Sequence, residues 1–150
     1  MDERLQKILA EYKGGQESLI PLLQRVQEEL GYISEEAVFG ISERLGISAS
    51  EVFGVLTFYS QFHLQPRGRH IIQQCAGTAC HVRGARKIIA AVQNKLGIKA
   101  GETTPDLGVT YEVVYCLGSC ALAPTTVIDG KVVARLTPDK MLKLIGDLGT

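Results

Sequence analysis

The four cysteines of this 150-residue chain stand in two short loops, and the sequence contains no others. The first loop reads Cys75-Ala-Gly-Thr-Ala-Cys80 and the second reads Cys116-Leu-Gly-Ser-Cys120. Spacings this short let the thiolates of both loops converge on one inorganic centre. The small residues between the cysteines also let backbone N–H groups approach the sulfur atoms, as iron–sulfur sites need. Residue types and spacing therefore predict a metal site bound by thiolates.

Three kinds of site can use four thiols: a 2Fe-2S cluster, a structural zinc ion or a disulfide framework. Disulfides are the least favoured, because a chain of this length can bury a core without covalent staples. Its acidic start, Met1-Asp2-Glu3-Arg4, is also unlike a secretory signal. Structural zinc sites use cysteine pairs at similar spacing and stay open as an alternative. The alanine- and leucine-rich surroundings favour a redox cluster but do not exclude zinc.

The sequence lacks the motifs of several other binding and redox chemistries. No Gly-x-Gly-x-x-Gly follows a predicted strand and no Gly-x-x-x-x-Gly-Lys is present, so we expect the chain itself to bind neither a dinucleotide nor a nucleoside triphosphate. A Cys-x-x-Cys dithiol is missing as well. His81 follows Cys80 directly, but Rieske centres replace two cysteines by two histidines, and here all four cysteine positions are filled. We predict that His81 starts a helix and hydrogen-bonds near the site without binding metal.

Charge and hydropathy exclude two classes of partner. Sixteen basic residues balance sixteen acidic ones, which argues against binding to nucleic acid and against electrostatic attachment to an acidic membrane. No apolar run approaches the roughly 18 residues that span a bilayer, so we expect no direct membrane insertion. We expect the protein to be cytoplasmic.

The first part of the chain, from Leu5 to about Phe62, has apolar residues at three- and four-residue steps, which is typical of amphipathic helices. We predict a short leading helix and three more, marked by these signals: an apolar stripe over residues 17 to 30, a cap at Ser34, and a capping box formed by Ser48 and Glu51. Four aromatic residues at helical spacing are interpreted as core rather than as a docking surface: Phe53, Phe58, Tyr59 and Phe62.

The second part follows a breaker, Gln65-Pro66-Arg67-Gly68, at which we place a domain boundary between residues 1–66 and 67–150. A strand over 70–74 enters the first cysteine loop, a helix covers 83–96, and a strand over 109–115 enters the second loop. Strand, helix and strand form a βαβ unit, so both loops follow the carboxyl ends of neighbouring parallel strands. The cysteines are therefore expected to meet at one edge of the sheet.

The chain closes with a hairpin and a helix. Residues 125–128 and 132–135 flank Asp129-Gly130, a favoured hairpin turn. Thr137 caps a last helix, which has Pro138 in its first turn and runs to about Leu148. The fold class is thus α+β: an all-α helical bundle over 1–66, followed by an α/β domain of βαβ-ββα order over 67–150.

Several motifs, taken together, resemble one known family. They are Cys75-x4-Cys80-His81, Gly84-Ala85, the run from Gly101 to Asp106, Cys116-Leu117-Gly118-Ser119-Cys120, Ala123-Pro124 and, upstream, the run from Val52 to Tyr59. The family is that of the thioredoxin-like 2Fe-2S ferredoxins. It includes the small iron–sulfur subunit of NADH dehydrogenase and its counterparts in NAD(P)-linked hydrogenases and formate dehydrogenases.

The resemblance implies a thioredoxin-like fold for residues 67–150 and one 2Fe-2S cluster per chain. Carried over residue by residue, it makes these the cluster ligands: Cys75, Cys80, Cys116 and Cys120. No residue of this chain is implied to be catalytic by itself. The alternative that stays open is a zinc-stabilised interaction module with four cysteine ligands and no redox activity.

The resemblance also implies a role inside a larger oxidoreductase. The chain is expected to exchange electrons with a flavoprotein subunit that oxidises NAD(P)H and carries FMN and further iron–sulfur clusters. The parent complex is expected to be an NADH dehydrogenase, a hydrogenase, a formate dehydrogenase or an electron-bifurcating enzyme. The helical bundle is expected to dock the partner, and the cytoplasmic location includes that of a peripheral subunit on a membrane-associated complex.

Overall fold

The structure, a computed structural model, describes residues 2–149. The chain divides into two compact units, with the boundary between Pro66 and Arg67. Helices make up the first unit, and a mixed sheet with helices makes up the second. The predicted α+β class, with helices preceding the α/β part, is confirmed. Within the described residues, no helix is both long enough and apolar enough to cross a membrane.

The helical unit is organised as its sequence signals predict. Its elements are α1 (Glu3–Glu11), a 3₁₀ turn (Gln16–Ser18), α2 (Leu19–Leu30), α3 (Glu35–Leu45) and α4 (Ala49–Phe58). The Ser34 hydroxyl accepts a hydrogen bond from the N–H of Ala37 at 3.2 Å, and Ser48 and Glu51 form the complete capping box. These caps satisfy N–H groups that have no partner within a helix. The apolar faces of the helices pack around one core that includes Leu22, Leu23, Val26, Ile33, Ile41 and Val52.

The prediction that the aromatic cluster belongs to this core is wrong for three of its four members. Phe62 is buried, but 51% of Phe53, 79% of Phe58 and 40% of Tyr59 is exposed. The physical reason is that α4 buries only a narrow stripe, at Val52 and Leu56. Helical spacing shows that residues share a face, but it does not show which face packs inward.

The second unit contains a five-stranded sheet in the order β2-β3-β1-β4-β5. The strands are β1 (His70–Cys75), β2 (Glu102–Thr103), β3 (Val109–Val114), β4 (Thr126–Ile128) and β5 (Lys131–Val133). The helices of this unit are α5 (Thr78–Val82), α6 (Ala85–Leu96) and α7 (Pro138–Asp147). The edge strand β2 was not predicted, because two residues carry no periodicity.

The βαβ unit and the hairpin are confirmed. β1 and β3 pair in parallel, and their register sets Cys75 opposite Val114 at the carboxyl ends. β4 and β5 pair antiparallel around Asp129 and Gly130, which both have positive φ angles, of 49° and 79°. Two successive positive φ angles are those of a type I′ turn, whose twist matches that of the flanking strands.

The region after the first cysteine loop differs from the prediction. The helix predicted to begin at Arg83 begins at Ala85, because Gly84 adopts a φ of 98° and separates it from the short helix α5. His81 therefore lies inside α5 and does not start the longer helix. The cap at the other end of the unit is as predicted, since the Thr137 hydroxyl accepts from the N–H of Lys140 at 3.3 Å.

The core of the second unit contains one polar group that lacks a partner. Tyr111 on β3 is fully buried, and no partner for its hydroxyl lies among the described residues. Burial raises the pKa of this hydroxyl, so it stays protonated. Because an unpartnered buried hydroxyl is a net penalty, we expect Tyr111→Phe to raise the free energy of unfolding by about 1 kcal/mol in a denaturant titration.

Tyr12→Phe is the matched control, since the Tyr12 hydroxyl donates to the carbonyl oxygen of Pro21 at 3.3 Å. The control should show no gain in stability. A Tyr111→Phe protein less stable than the native one would mean that this hydroxyl has a partner in solution.

Candidate metal centre

The structure brings all four predicted cysteines to one place. Cys75 ends β1, Cys80 lies in α5, Cys116 follows β3, and Cys120 begins a 3₁₀ turn (Cys120–Leu122). Together with Gly77, Thr78, Ala79 and Tyr115, they line a cavity of about 500 Å³. The parallel pairing of β1 and β3 produces this meeting, because it sets the two loops side by side at the same edge of the sheet.

The first loop lies tightly against the end of β3. The N–H of Ala76 donates to the carbonyl oxygen of Val114 at 2.7 Å. A Cβ atom added at Gly77 would overlap the carbonyl oxygen of Tyr115 and lie 3.6 Å from the sulfur of Cys75. Glycine is therefore required at position 77 so that the two cysteine loops can approach each other.

The second loop already has the spacing of a metal-binding pair. The sulfur atoms of Cys116 and Cys120 lie 3.8 Å apart, and the N–H of Gly118 donates to the Cys116 sulfur at 3.3 Å. Two thiolates on one tetrahedral metal, each about 2.3 Å from it, are separated by about 3.8 Å. The second pair thus fits two ligands of a single metal atom without rearrangement.

The two pairs differ in burial. Cys75 and Cys80 are 3% and 1% exposed, whereas Cys116 and Cys120 are exposed.

In the part of the chain that the structure describes, no three histidine, cysteine or carboxylate side chains surround one common ion position. The 3.8 Å spacing within the second pair fits a 2Fe-2S cluster, in which each of the two irons takes two protein ligands.

Hydrogen bonds at Cys75, one member of the buried pair, favour its thiolate form. Burial raises the pKa of the Cys75 thiol, but the N–H groups of Gly77 and Leu117, with the side chains of Cys80 and Thr125, lower it by more, and the pKa lies below its ordinary value. Leu117 belongs to the second loop, so its N–H links the two loops electrostatically. Donors of this kind stabilise a sulfur ligand that carries negative charge.

Cys120, one member of the exposed pair, shows a pKa shift in the opposite direction. The pKa of the Cys120 thiol is raised by its hydrogen bond to Cys116 and by the negative charge of that neighbour, with smaller contributions from the other two cysteines. Thiolates held this close repel one another unless a cation lies between them. A cationic metal centre bound between the thiolates would relieve this repulsion.

The structure also shows what the sequence prediction missed. His81 is exposed, and its backbone N–H donates to the carbonyl oxygen of Gly77 within α5. Thr125 was not predicted, yet its buried hydroxyl oxygen lies 3.7 Å from the sulfur of Cys80. Its place just before β4, the antiparallel neighbour of β1, is the signal that could have identified it.

Comparisons with known proteins find similarity over nearly the whole chain. The family model described as "Thioredoxin-like [2Fe-2S] ferredoxin" matches residues 5–149. One subunit of the NADH-quinone oxidoreductase of Escherichia coli K12 is 39% identical over 143 residues, which cover 95% of this chain and 86% of the relative. HndA, a subunit of the NADP-reducing hydrogenase of Solidesulfovibrio fructosivorans, is 33% identical over 129 residues, which cover 86% of this chain and 75% of the relative.

One solved structure shares the fold. The air-oxidised NAD⁺-reducing [NiFe]-hydrogenase matches 88% of this chain with a TM-score of 0.73 and 20% identity. The match covers 23% of the hydrogenase chain, so this protein spans about a quarter of that chain. At this identity the likeness concerns the fold alone.

Proposed function

Since this chain belongs to the family of thioredoxin-like [2Fe-2S] ferredoxins, whose cofactor is a 2Fe-2S cluster, we propose that the four cysteines of its two loops bind the cluster in two pairs. Cys75 and Cys80 form the buried pair, and Cys116 and Cys120 form the exposed pair. The observation that carries the proposal is that all four line one cavity, with the second pair at the sulfur–sulfur separation of two ligands on one metal.

The protein is an electron-transfer subunit. A bound 2Fe-2S cluster accepts and releases one electron, while the surrounding chain sets its potential and its access to partners. The buried pair and its N–H donors hold one side of the site away from water. The exposed pair reaches the surface, so a docked redox protein can approach the site there.

The partner is a nicotinamide-linked flavoprotein. The Escherichia coli relative is a subunit of an NADH-quinone oxidoreductase, and the Solidesulfovibrio relative is a subunit of an NADP-reducing hydrogenase. Both assemblies are named for reactions of nicotinamide cofactors. These names support a place within a multi-subunit oxidoreductase. We propose that the chain exchanges electrons there with an NAD(P)H-oxidising subunit that carries FMN.

Metal analysis and electron paramagnetic resonance (EPR) test this function. Purified without oxygen, the protein should contain about two irons and two sulfides per chain, be brown, and show an EPR signal only when reduced. A colourless protein with one zinc ion per chain would instead establish the zinc-stabilised module, since zinc has no redox chemistry.

The two units have different functions, cluster binding in one and partner docking in the other. Residues 67–150 contain all four cysteines and form the ferredoxin domain, while residues 1–66 form the helical domain that docks the flavoprotein. Its exposed aromatic residues include Phe39, which lines an apolar groove of about 640 Å³ together with Phe53. The helical domain also has twice as many acidic as basic residues, which suits a partner surface with the opposite charge. Exposed aromatic side chains that line one groove, as Phe39 and Phe53 do, are typical of interaction surfaces.

We expect the double variant Phe53→Ser, Phe58→Ser to bind the flavoprotein about tenfold more weakly or worse. Aromatic side chains that become buried in a complex contribute most of the interface affinity. Its iron and sulfide content should be unchanged, because both residues lie outside the ferredoxin domain. Binding is measured with the flavoprotein subunit purified from the native complex, together with NADH-driven reduction of the cluster.

Ile20→Ser, which alters another exposed apolar residue of the same domain, is the matched control and should bind normally. If the double variant binds as tightly as the native protein, Phe53 and Phe58 are not part of the docking surface.

A further inference from the structure

We propose that Thr125 raises the reduction potential of the site by donating a hydrogen bond from its hydroxyl to the buried sulfur of Cys80. The inference rests on the proposed function, because it takes Cys80 to be a cluster ligand. It assigns a specific electronic role to a residue that is not itself a ligand.

The contact lies where water does not compete with it. The Thr125 hydroxyl oxygen is 3.7 Å from the Cys80 sulfur, and both residues are 1% exposed. Between a thiol and a hydroxyl, either group could donate. A metal-bound thiolate has no proton, so in the loaded site the hydroxyl is the donor and the sulfur is the acceptor.

Backbone and side-chain contacts hold Thr125 in place. Its carbonyl oxygen accepts from the N–H of Cys75 at 3.1 Å and from the side-chain amide of Gln74 at 3.2 Å. Gln74 is fully buried, and its own amide oxygen accepts from the Thr126 hydroxyl at 2.6 Å. Gln74 is therefore a positioning residue that fixes the distance between the Thr125 hydroxyl and the sulfur.

This hydrogen bond is expected to shift the reduction potential in one direction, toward less negative values. Reduction adds one negative charge to the metal site, and a hydrogen bond to a ligand sulfur becomes stronger as the sulfur becomes more negative. The bond therefore stabilises the reduced form more than the oxidised form and makes the potential less negative. Burial increases the effect, because the local dielectric constant is low.

Thr125→Val and Thr125→Ser separate the hydroxyl from the shape of the side chain. Valine keeps the shape and lacks the donor, whereas serine keeps the donor. In an EPR-monitored redox titration, we expect the valine variant to show a more negative potential, with the equilibrium constant for reduction lowered about tenfold, which for one electron corresponds to about 59 mV. The serine variant should stay close to the native protein.

Thr110→Val is the control for losing a buried hydroxyl elsewhere in the sheet, since Thr110 hydrogen-bonds to Thr103 and to Gly68. It should lose stability and keep the native potential. An unchanged potential for Thr125→Val overturns the proposal, and so does a Thr125→Ser potential shifted as far as that of the valine variant.

Iron and sulfide content is measured for every variant. If the native protein itself holds no cluster, the proposed function fails. If the native protein and the variants hold the cluster and only the potentials differ from those expected, this inference fails alone. If Thr125→Val does not retain the cluster, Thr125→Ala is titrated in its place, and a native potential in that variant also overturns the proposal. If neither variant retains the cluster while Thr110→Val does, the hydroxyl serves assembly rather than potential, and the proposal is wrong.

Discussion

Replacing any one of the four cysteines by alanine is expected to leave the protein without an intact 2Fe-2S cluster. Each iron of the cluster depends on two protein thiolates, and alanine offers no atom that can replace one. The sulfur atoms of the second pair stand 3.8 Å apart, which is the separation of two thiolates on one metal atom. Iron and sulfide per chain, visible absorption and the EPR signal of the reduced protein measure the loss.

His81→Ala is the control for this series. His81 follows Cys80 directly and carries a potential metal ligand, but it is exposed, and the four cysteines alone match the number of ligands that the cluster needs. The variant should assemble the cluster with at most a changed potential. Loss of the cluster in His81→Ala, together with its survival in one of the cysteine variants, would falsify the ligand assignment.

Gly77→Ala is expected to have the second largest effect. The added methyl group overlaps the carbonyl oxygen of Tyr115, a backbone atom that cannot rotate away. Relief requires the first loop to move away from the end of β3, which separates the cysteines of the two loops. We expect the cluster content to fall by more than half and the free energy of unfolding to fall by about 3 kcal/mol, at the upper end of the usual range for overpacking.

Gly54→Ala makes the same chemical change where there is space for it. Position 54 lies in α4, and an added methyl group meets nothing within 4 Å. Alanine favours a helix over glycine by about 0.5 to 1 kcal/mol, so this variant should be slightly more stable and keep its cluster. Thermal unfolding and iron content compare the two variants. Equal behaviour of the two would show that the close approach at Gly77 is not needed.

Much of the fold could be predicted because particular residues carry local signals. Ser34 and Ser48 mark helix starts through hydrogen bonds that few other side chains make. Asp129-Gly130 marks the hairpin because it tolerates two positive φ angles. The meeting of the cysteines followed from topology, since the carboxyl ends of parallel β1 and β3 lie side by side.

The remaining features depend on contacts that have no local pattern. α5 has five residues and β2 has two, so neither shows a period. The exposure of Phe58 depends on which face of α4 meets the other helices. Thr125 is a single residue outside any motif, and its role follows only once β4 is known to pair beside β1. Sequence patterns thus predicted the meeting of the cysteines better than the residues around them.

The separation of the two cysteine loops along the chain affects how strongly the domain resists unfolding after it loses its cluster. A cluster that joins Cys80 to Cys116 ties together two points with α6, β2 and β3 between them, as a covalent cross-link would. Closing a loop of that length removes much of the conformational entropy of the unfolded chain, so the loaded domain resists unfolding more than the empty one. If these cysteines bind the cluster as proposed, oxidative loss of the cluster also removes this cross-link, and we expect the empty domain to unfold more readily and to be cleaved faster by a protease.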